Sequence, residues 1–364
     1  GDYVDFASLS QQMNATILYE ADVDTGEFVP VLPDPEDLVV LVGRSLLFKD
    51  IVKMRFYFNI SATGVTTATP ENSGLLVWTA EEYAALDSYT VDTAGQQIRG
   101  LTHSVNGYYA DTRGIPAKNM VDTLYVRAYV ILPDGSYEYS EVTEFSPVMY
   151  AQLILQKEDA ADTMKELAIA LMNYGAAAQV YFNYKTDTLM NAWLTEEQRA
   201  YDWSNDMINA LPKDTSKYLY AGDDRIVWRG SSVTFVGAVN QNFYFQIPEE
   251  LTQNAQKIEL LYWTQSDYDA LSQLTVENAR KVTYSLEEGR AVIEGTAAKD
   301  LGKAFYFAVH IIYEDGEVFS EIHVDSAHDY ARRVLSSGTT SDAMKDLAKA
   351  LVYYSCKAKS QLGG

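Results

Sequence analysis

Aromatic rings are the most prominent chemical resource in this sequence, with 27 Tyr, 13 Phe and 5 Trp. A chain that needs only a core favours Phe, whereas Tyr joins a flat apolar face to a polar rim that suits a half-wet surface. Such rings, mixed with Asn, Gln and Asp, fit two kinds of partner, another protein or a sugar. A pyranose offers an apolar C–H face to stack on and hydroxyls around its edge. Nine rings are candidates for a binding face of this kind: Trp78, Tyr83, Trp193, Trp203, Tyr218, Tyr220, Trp228, Trp263 and Tyr268.

Other chemistries find little to work with. The sequence has no Gly-x-x-x-x-Gly-Lys-Ser/Thr, Gly-x-Gly-x-x-Gly, His-Glu-x-x-His or Gly-x-Ser-x-Gly. Its four histidines, His103, His310, His323 and His328, lack a Cys or His partner at ligand spacing. That argues against zinc and leaves them as ordinary surface or strand residues, with His310 on the strand face opposite the core. Carboxylates abound, but Asp37, Glu81, Glu82 and Asp224 read as solvated charge, and no glycosidase-type acid pair can be located. No Asp-x-Asp-x-Asp-Gly loop is present, so no cofactor is indicated; calcium on clustered Asp and backbone oxygens is the one alternative left open. A single cysteine, Cys356, excludes an intrachain disulfide and reads as a small core residue.

The rings and the missing motifs are set in a repeat. Asp37–Gly43 matches Asp224–Gly230, and Phe56-Tyr57-Phe58 matches Phe243-Tyr244-Phe245. Trp78-Thr79 with Tyr83 and Leu86 then falls on Trp263-Thr264 with Tyr268 and Leu271. Ala117-Lys118, Asp134-Gly135 and Tyr150-Ala151 find Ala298-Lys299, Asp315-Gly316 and Tyr330-Ala331. An ordered series of this kind predicts one unit written twice. Trp78 and Trp263 are then either a duplicated binding position or a residue each sandwich needs, the second being the commoner use of one buried Trp. Trp193, Trp203 and Trp228 are not duplicated, and Trp228 stands where the first copy has Leu41. Lobe packing and a ligand platform are both open to them.

Each copy begins with strands and ends with helices. Leu124, Val126, Ala128 and Val130 alternate with Tyr125, Arg127 and Tyr129, and Phe305, Phe307, Val309 and Ile311 repeat the pattern. Period two puts one side on a core, and the following Asp-Gly marks a tight hairpin. The spacing predicts an immunoglobulin-like sandwich. Met164, Leu167, Ala168, Leu171, Tyr174 and Ala178 then form a helical stripe, matched type for type by Met344, Leu347, Ala348, Leu351, Tyr354 and Ala358. Asp162 and Asp342 are placed to cap these helices, and shorter helices are expected near 148–155 and 327–335.

The expected organisation is mainly β with α: a first sandwich-plus-helices lobe over 1–190, an aromatic-rich connector over 191–222 and a second lobe over 223–364, forming a bilobed body. Thr195 and Gln198 could cap a short helix in the connector, which is expected to pack against the lobes. With 51 acidic and 28 basic residues the net charge is -23, a field that repels phosphate backbones and anionic lipid. Nucleic-acid and membrane partners are therefore not expected, no apolar run reaches membrane-spanning length, and a monomer is. The opening Gly-Asp-Tyr-Val-Asp has no signal-peptide character, as in a segment taken from a longer protein.

Met172-Asn-Tyr-Gly-Ala-Ala-Ala-Gln-Val-Tyr-Phe-Asn-Tyr184 and Thr186–Ala192, with the preceding sandwich and its Ala117–Met120 segment, resemble a tandem repeat of secreted gut clostridial and ruminococcal proteins. The duplicated arrangement is similar to the starch-binding modules of the ruminococcal starch adherence system, which assembles amylosomes. That resemblance implies a non-catalytic, secreted or cell-surface module of a Gram-positive bacterium that holds α-1,4-glucan or maltooligosaccharide chains in a groove near the lobe junction. The alternative is a structural or protein-interaction module of a cell-surface complex. Two departures stand out: Trp193 replaces a small residue after Asn191-Ala192, and the second copy ends without the Phe-Asn-Tyr tail.

Overall fold

The computed structural model describes residues 3–4, 18–21, 28–31, 38–48, 51–60, 69–103, 107–235 and 238–363. The chain divides into two compact units, Gly1–Arg199 and Ala200–Gly364. The stretch 191–222 is thus shared, its first nine residues with the first unit and the remainder with the second.

In the first unit, β1 (Tyr3–Val4), β2 (Leu18–Ala21), β3 (Phe28–Val31), β4 (Val39–Leu47) and β5 (Lys53–Ile60) precede β6 (Ser73–Thr79). Helix α1 (Ala80–Ala84) leads to β7 (Gln96–Arg99), β8 (Leu101–His103), β9 (Gly107–Asp111), β10 (Leu124–Ile131), β11 (Tyr137–Tyr139) and β12 (Thr143–Phe145). These form antiparallel sheets in the orders β1-β4-β5-β9-β8 and β11-β10-β6-β7, with β12 also on β10 and β2 paired with β3. Helices α2 (Pro147–Gln156), α3 (Asp162–Tyr181) and α4 (Glu196–Ala200) complete it.

The second unit repeats the plan. Strands β13 (Val227–Thr234), β14 (Asn240–Gln246), β15 (Lys257–Thr264), β16 (Arg280–Thr283), β17 (Arg290–Ile293), β18 (Phe305–Ile312), β19 (Glu317–Phe319) and β20 (His323–Asp325) form sheets β13-β14-β17 and β16-β15-β18-β19, with β20 on β18. Its helices are α5 (Glu249–Thr252), α6 (Gln265–Ala270), α7 (Ala327–Ser336) and α8 (Asp342–Leu362). Even the irregularity is duplicated: a register shift lies between Leu41 and Gly43 in β4 and between Trp228 and Gly230 in β13. Gly230 takes a φ of 119° there, a value an L side chain resists.

The period-two pattern works as expected on the inner faces. Phe243, Phe245, Leu260, Phe305, Phe307, Val309 and Ile311 meet in one core between the two sheets of the second unit. The outer faces behave differently. In a two-layer sandwich they would meet water, but here the outer faces of the β6–β10 and β15–β18 pairs are roofed by the loops after β6 and β15. Trp78 and Trp263 lie under these roofs, fully buried.

All twelve residues of the two helical stripes are buried. The cap assignment is corrected: Asp162 and Asp342 occupy the first helical position, and Ser341 Oγ, one residue earlier, accepts the Met344 N–H. A carboxylate in the first turn still opposes the helix dipole favourably. The predicted capping pair is present: Gln198 N–H donates to Thr195 Oγ1 at 3.2 Å and Thr195 N–H to Gln198 Oε1 at 3.0 Å. Among the described residues no helix is long and apolar enough to cross a membrane.

Candidate functional site

Seven of the nine candidate rings are committed to packing. Trp78 Nε1–H donates to Thr93 O, and Trp263 Nε1–H donates to Asn278 Oδ1 at the corresponding place, both at 2.8 Å. With no exposed face, neither can stack on a ligand, and the duplication reflects folding. Tyr83 is sandwiched between Tyr89 and Tyr125, at centroid distances of 4.1 and 3.8 Å. Tyr268 stacks on Tyr306 at 4.0 Å, with Lys217 Nζ 4.6 Å from its ring centroid. From the 191–222 stretch, Tyr218 sets an edge against Trp263 and Tyr220 stacks on Phe319 at 4.1 Å. Trp228 donates to Gly230 O and packs edge-on to Phe307 in the sandwich core. Each of these rings has found a protein partner for its faces.

Trp193 and Trp203 remain. Trp203 is half-buried, in the segment that opens the second unit. Trp193 is 63% exposed, the most exposed of the large hydrophobic side chains among the described residues. Its immediate surroundings are rigid. Met190 and Leu194, on either side, are buried. Gln179, a fully buried amide on α3, accepts Met190 N–H at 2.7 Å and donates to Lys185 O and Thr188 O at 3.1 Å. Asn173, one and a half turns earlier, accepts from Asn191 and donates to Gln198 O, both at 2.9 Å. The chain leaves α3 through two left-handed residues, Asn183 (φ 50°) and Lys185 (φ 43°). Between them Tyr184 is held by its hydroxyl to Asp122 at 2.7 Å. An indole is thus projected into solvent from a loop bonded at both ends.

The sequence reading overlooked Asn173 and Gln179. One signal was present: the second copy has Tyr353 and Lys359 at those helix positions, so these are unduplicated residues on a duplicated helix.

The histidines need correction. His310 and His328 are each 2% exposed, so neither is a surface residue. His310 Nδ1 lies 3.2 Å from Glu259 Oε1 and Nε2 lies 2.9 Å from Glu317 Oε2, with the ring stacked on Phe319 at 4.6 Å. Burial alone would raise the Glu259 carboxyl, but bonds from Lys257 and His310 and the charge of Lys281 hold it below its ordinary range. The first copy places Gly74 and Tyr129 in the same register, so this charged chain belongs to the second unit only. Lys257 and Lys281 also pair with Glu259, so the cluster is an ion-pair network.

His328 Nε2 lies 3.1 Å from Ser355 Oγ, which looks like a nucleophile and its base. The geometry runs the other way. Asn209 N–H donates to Nδ1 at 3.3 Å, which places the ring proton on Nε2 and makes the imidazole a donor to the hydroxyl. A general base would need a bare nitrogen there. His323 lies in β20, half-buried; the side chain of His103 and residue Asp37 fall outside the described residues. Glu81, Glu82 and Asp224 are exposed, with Glu82 accepting the Thr79 N–H at the start of α1. Cys356 is half-buried beside Met207 O, and burial pushes its thiol up. No group of acidic, histidine or cysteine side chains able to hold a metal occurs among the described residues. No family model and no curated protein matches this chain.

Proposed function

We propose that the protein is a non-catalytic glycan-binding module for α-1,4-glucan, with Trp193 as its stacking platform. One observation carries the reading: a 63% exposed indole on a loop anchored by the buried residues Met190 and Leu194. Exposing a Trp forgoes its burial energy, and pinning the loop lowers the entropy lost on binding a sugar. The non-catalytic part is supported by the His328 tautomer, which turns an N–H toward Ser355, and by the ion-pair network that engages both ring nitrogens of His310. A curved α-linked chain can place a C–H face on one protruding ring while its hydroxyls remain solvated. Secretion, or display on a bacterial surface beside glucan-degrading enzymes, belongs to the same proposal. One stacking contact yields weak binding, with a Kd on the order of 100 µM.

The direct test is Trp fluorescence during maltoheptaose titration of the wild type, Trp193→Phe and Trp193→Ala. Quenching in the wild type that vanishes in Trp193→Ala while the fold is retained supports the reading; identical titrations in both remove Trp193 from it. A second reading, a structural or protein-interaction module, is favoured by the seven rings spent on packing, since they account for most of the candidate aromatics without any ligand.

A further inference from the structure

Both long helices are crossed by a strap, and only in the second does a titrating side chain of the helix pair accept from the strap's backbone. In the first unit, residues 185–198 run along α3: Met190 packs on Gly175, and Asn173 and Gln179 hold the strap's backbone. In the second unit the strap is the segment 201–209, which arrives from the other direction in the chain. Tyr201 stacks on Tyr353 at 4.5 Å, and Cys356 Sγ–H points to Met207 O at 3.6 Å. Asn209 is the main fastening. Its N–H donates to His328 Nδ1 at 3.3 Å, its side chain donates to Gly302 O at 3.0 Å, and its carbonyl accepts from Arg332 at 2.9 Å. The first copy has Val148, Gly175 and Ala176 where the second has His328, Ser355 and Cys356. Amides on the helix, which do not titrate, hold the first strap's backbone, whereas an imidazole holds the second's.

We infer that His328 is a proton-operated latch, whose protonation detaches the 201–209 strap from α7 and α8 and uncovers Cys356. The nitrogen that must take the proton is the one now accepting the Asn209 N–H, so protonation sets N–H against N–H and that bond cannot persist. In the closed state the imidazolium keeps Ser355 Oγ on Nε2 but meets cations among the charges that act on it. Lys359 on α8 and Arg332 on α7 are cationic, with Arg332 paired to Asp329. On the 300–303 turn that adjoins Asn209, Lys303 pairs with Asp300 at 2.7 Å. The strap's own acids, Asp202 and Asp206, are exposed, and Cys356 on α8 is held neutral by burial. Burial, then the Lys359 and Arg332 charges, push His328 down from 6.5 to about 4. A released ring recovers its ordinary affinity, so acidification across that interval favours release by on the order of 100-fold. The sign is fixed: the latch is closed near neutrality and loosens as pH falls.

Cys356 is the chain's single cysteine, so the full chain reports its own strap. The rate of reaction with 4,4′-dithiodipyridine, divided by that of free cysteine at each pH, should rise at least tenfold between pH 6.5 and 4.5 in the wild type. In His328→Asn, which retains an acceptor but cannot titrate, it should remain flat. A flat wild-type ratio, an equal rise in His328→Asn, or a rise that coincides with loss of the far-ultraviolet dichroism would overturn the latch. Should His328→Asn fail to fold, imidazole 15N shifts of the wild type decide. Protonation that tracks thiol exposure supports the latch, and a ring still neutral when the thiol reacts contradicts it.

Discussion

At the scale of single residues, the same indole chemistry is used in two opposite ways. Trp78 and Trp263 are fully buried with their N–H groups satisfied, so truncation leaves a large cavity and removes a hydrogen bond. Trp78→Ala or Trp263→Ala should each cost about 3–5 kcal/mol, a large share of a domain's stability, measurable by urea denaturation. Trp193→Ala removes a ring that touches mostly water and should change stability by no more than about 0.5 kcal/mol. His328 adds a pH term. Its folded value of about 4 lies below the unfolded 6.5, so the unfolded chain takes up the proton first as pH falls. Its contribution is fully present above pH 6.5 and declines toward pH 4 by at most roughly 3 kcal/mol, less where the released ring takes up the proton in the folded chain. Urea melts at pH 7 and pH 5 should show this loss in the wild type and a smaller one in His328→Asn.

Among elements, the helices show most clearly what packing asks of a sequence. Gly175 sits in mid-α3 because a Cβ there would lie 2.2 Å from Met190 Sδ, and Met190 cannot swing far while Gln179 holds its N–H. Gly175→Ala should therefore lose about 1 kcal/mol despite the roughly 1 kcal/mol of helix propensity it gains. Combining it with Met190→Ala should cost less than the two changes summed, and thermal melts of the three variants would show it. The stripes and strand alternation were legible because they are periodic, and the duplication confirmed each period twice. The roofs over the outer sheet faces were not. Alternation marks Tyr125 and His310 as pointing away from the sandwich core, yet nothing in it says that a loop from elsewhere covers them. The same gap made buried histidines look like surface ones. Nothing in the sequence set Trp193 apart from Trp203 and Trp228, and only packing separated the three.

On the scale of the whole molecule, duplication supplies two units, each with its own sandwich core, roof and strapped helix pair. Residues 200–364 produced alone should therefore fold cooperatively, giving a single calorimetric transition; a featureless thermogram would deny the unit its independence. Changes between the copies, such as His328 where the first has Val148, are not required by the common fold and are the places to look for specialisation. The net charge of -23 favours an uncharged partner over nucleic acid or anionic lipid, which agrees with a neutral glucan. The most direct measurement is isothermal titration of the full chain with maltoheptaose, with cellohexaose as control. The account predicts heat from the α-linked sugar alone, lost in Trp193→Ala. No heat from maltoheptaose, or equal heat from both sugars, would contradict it.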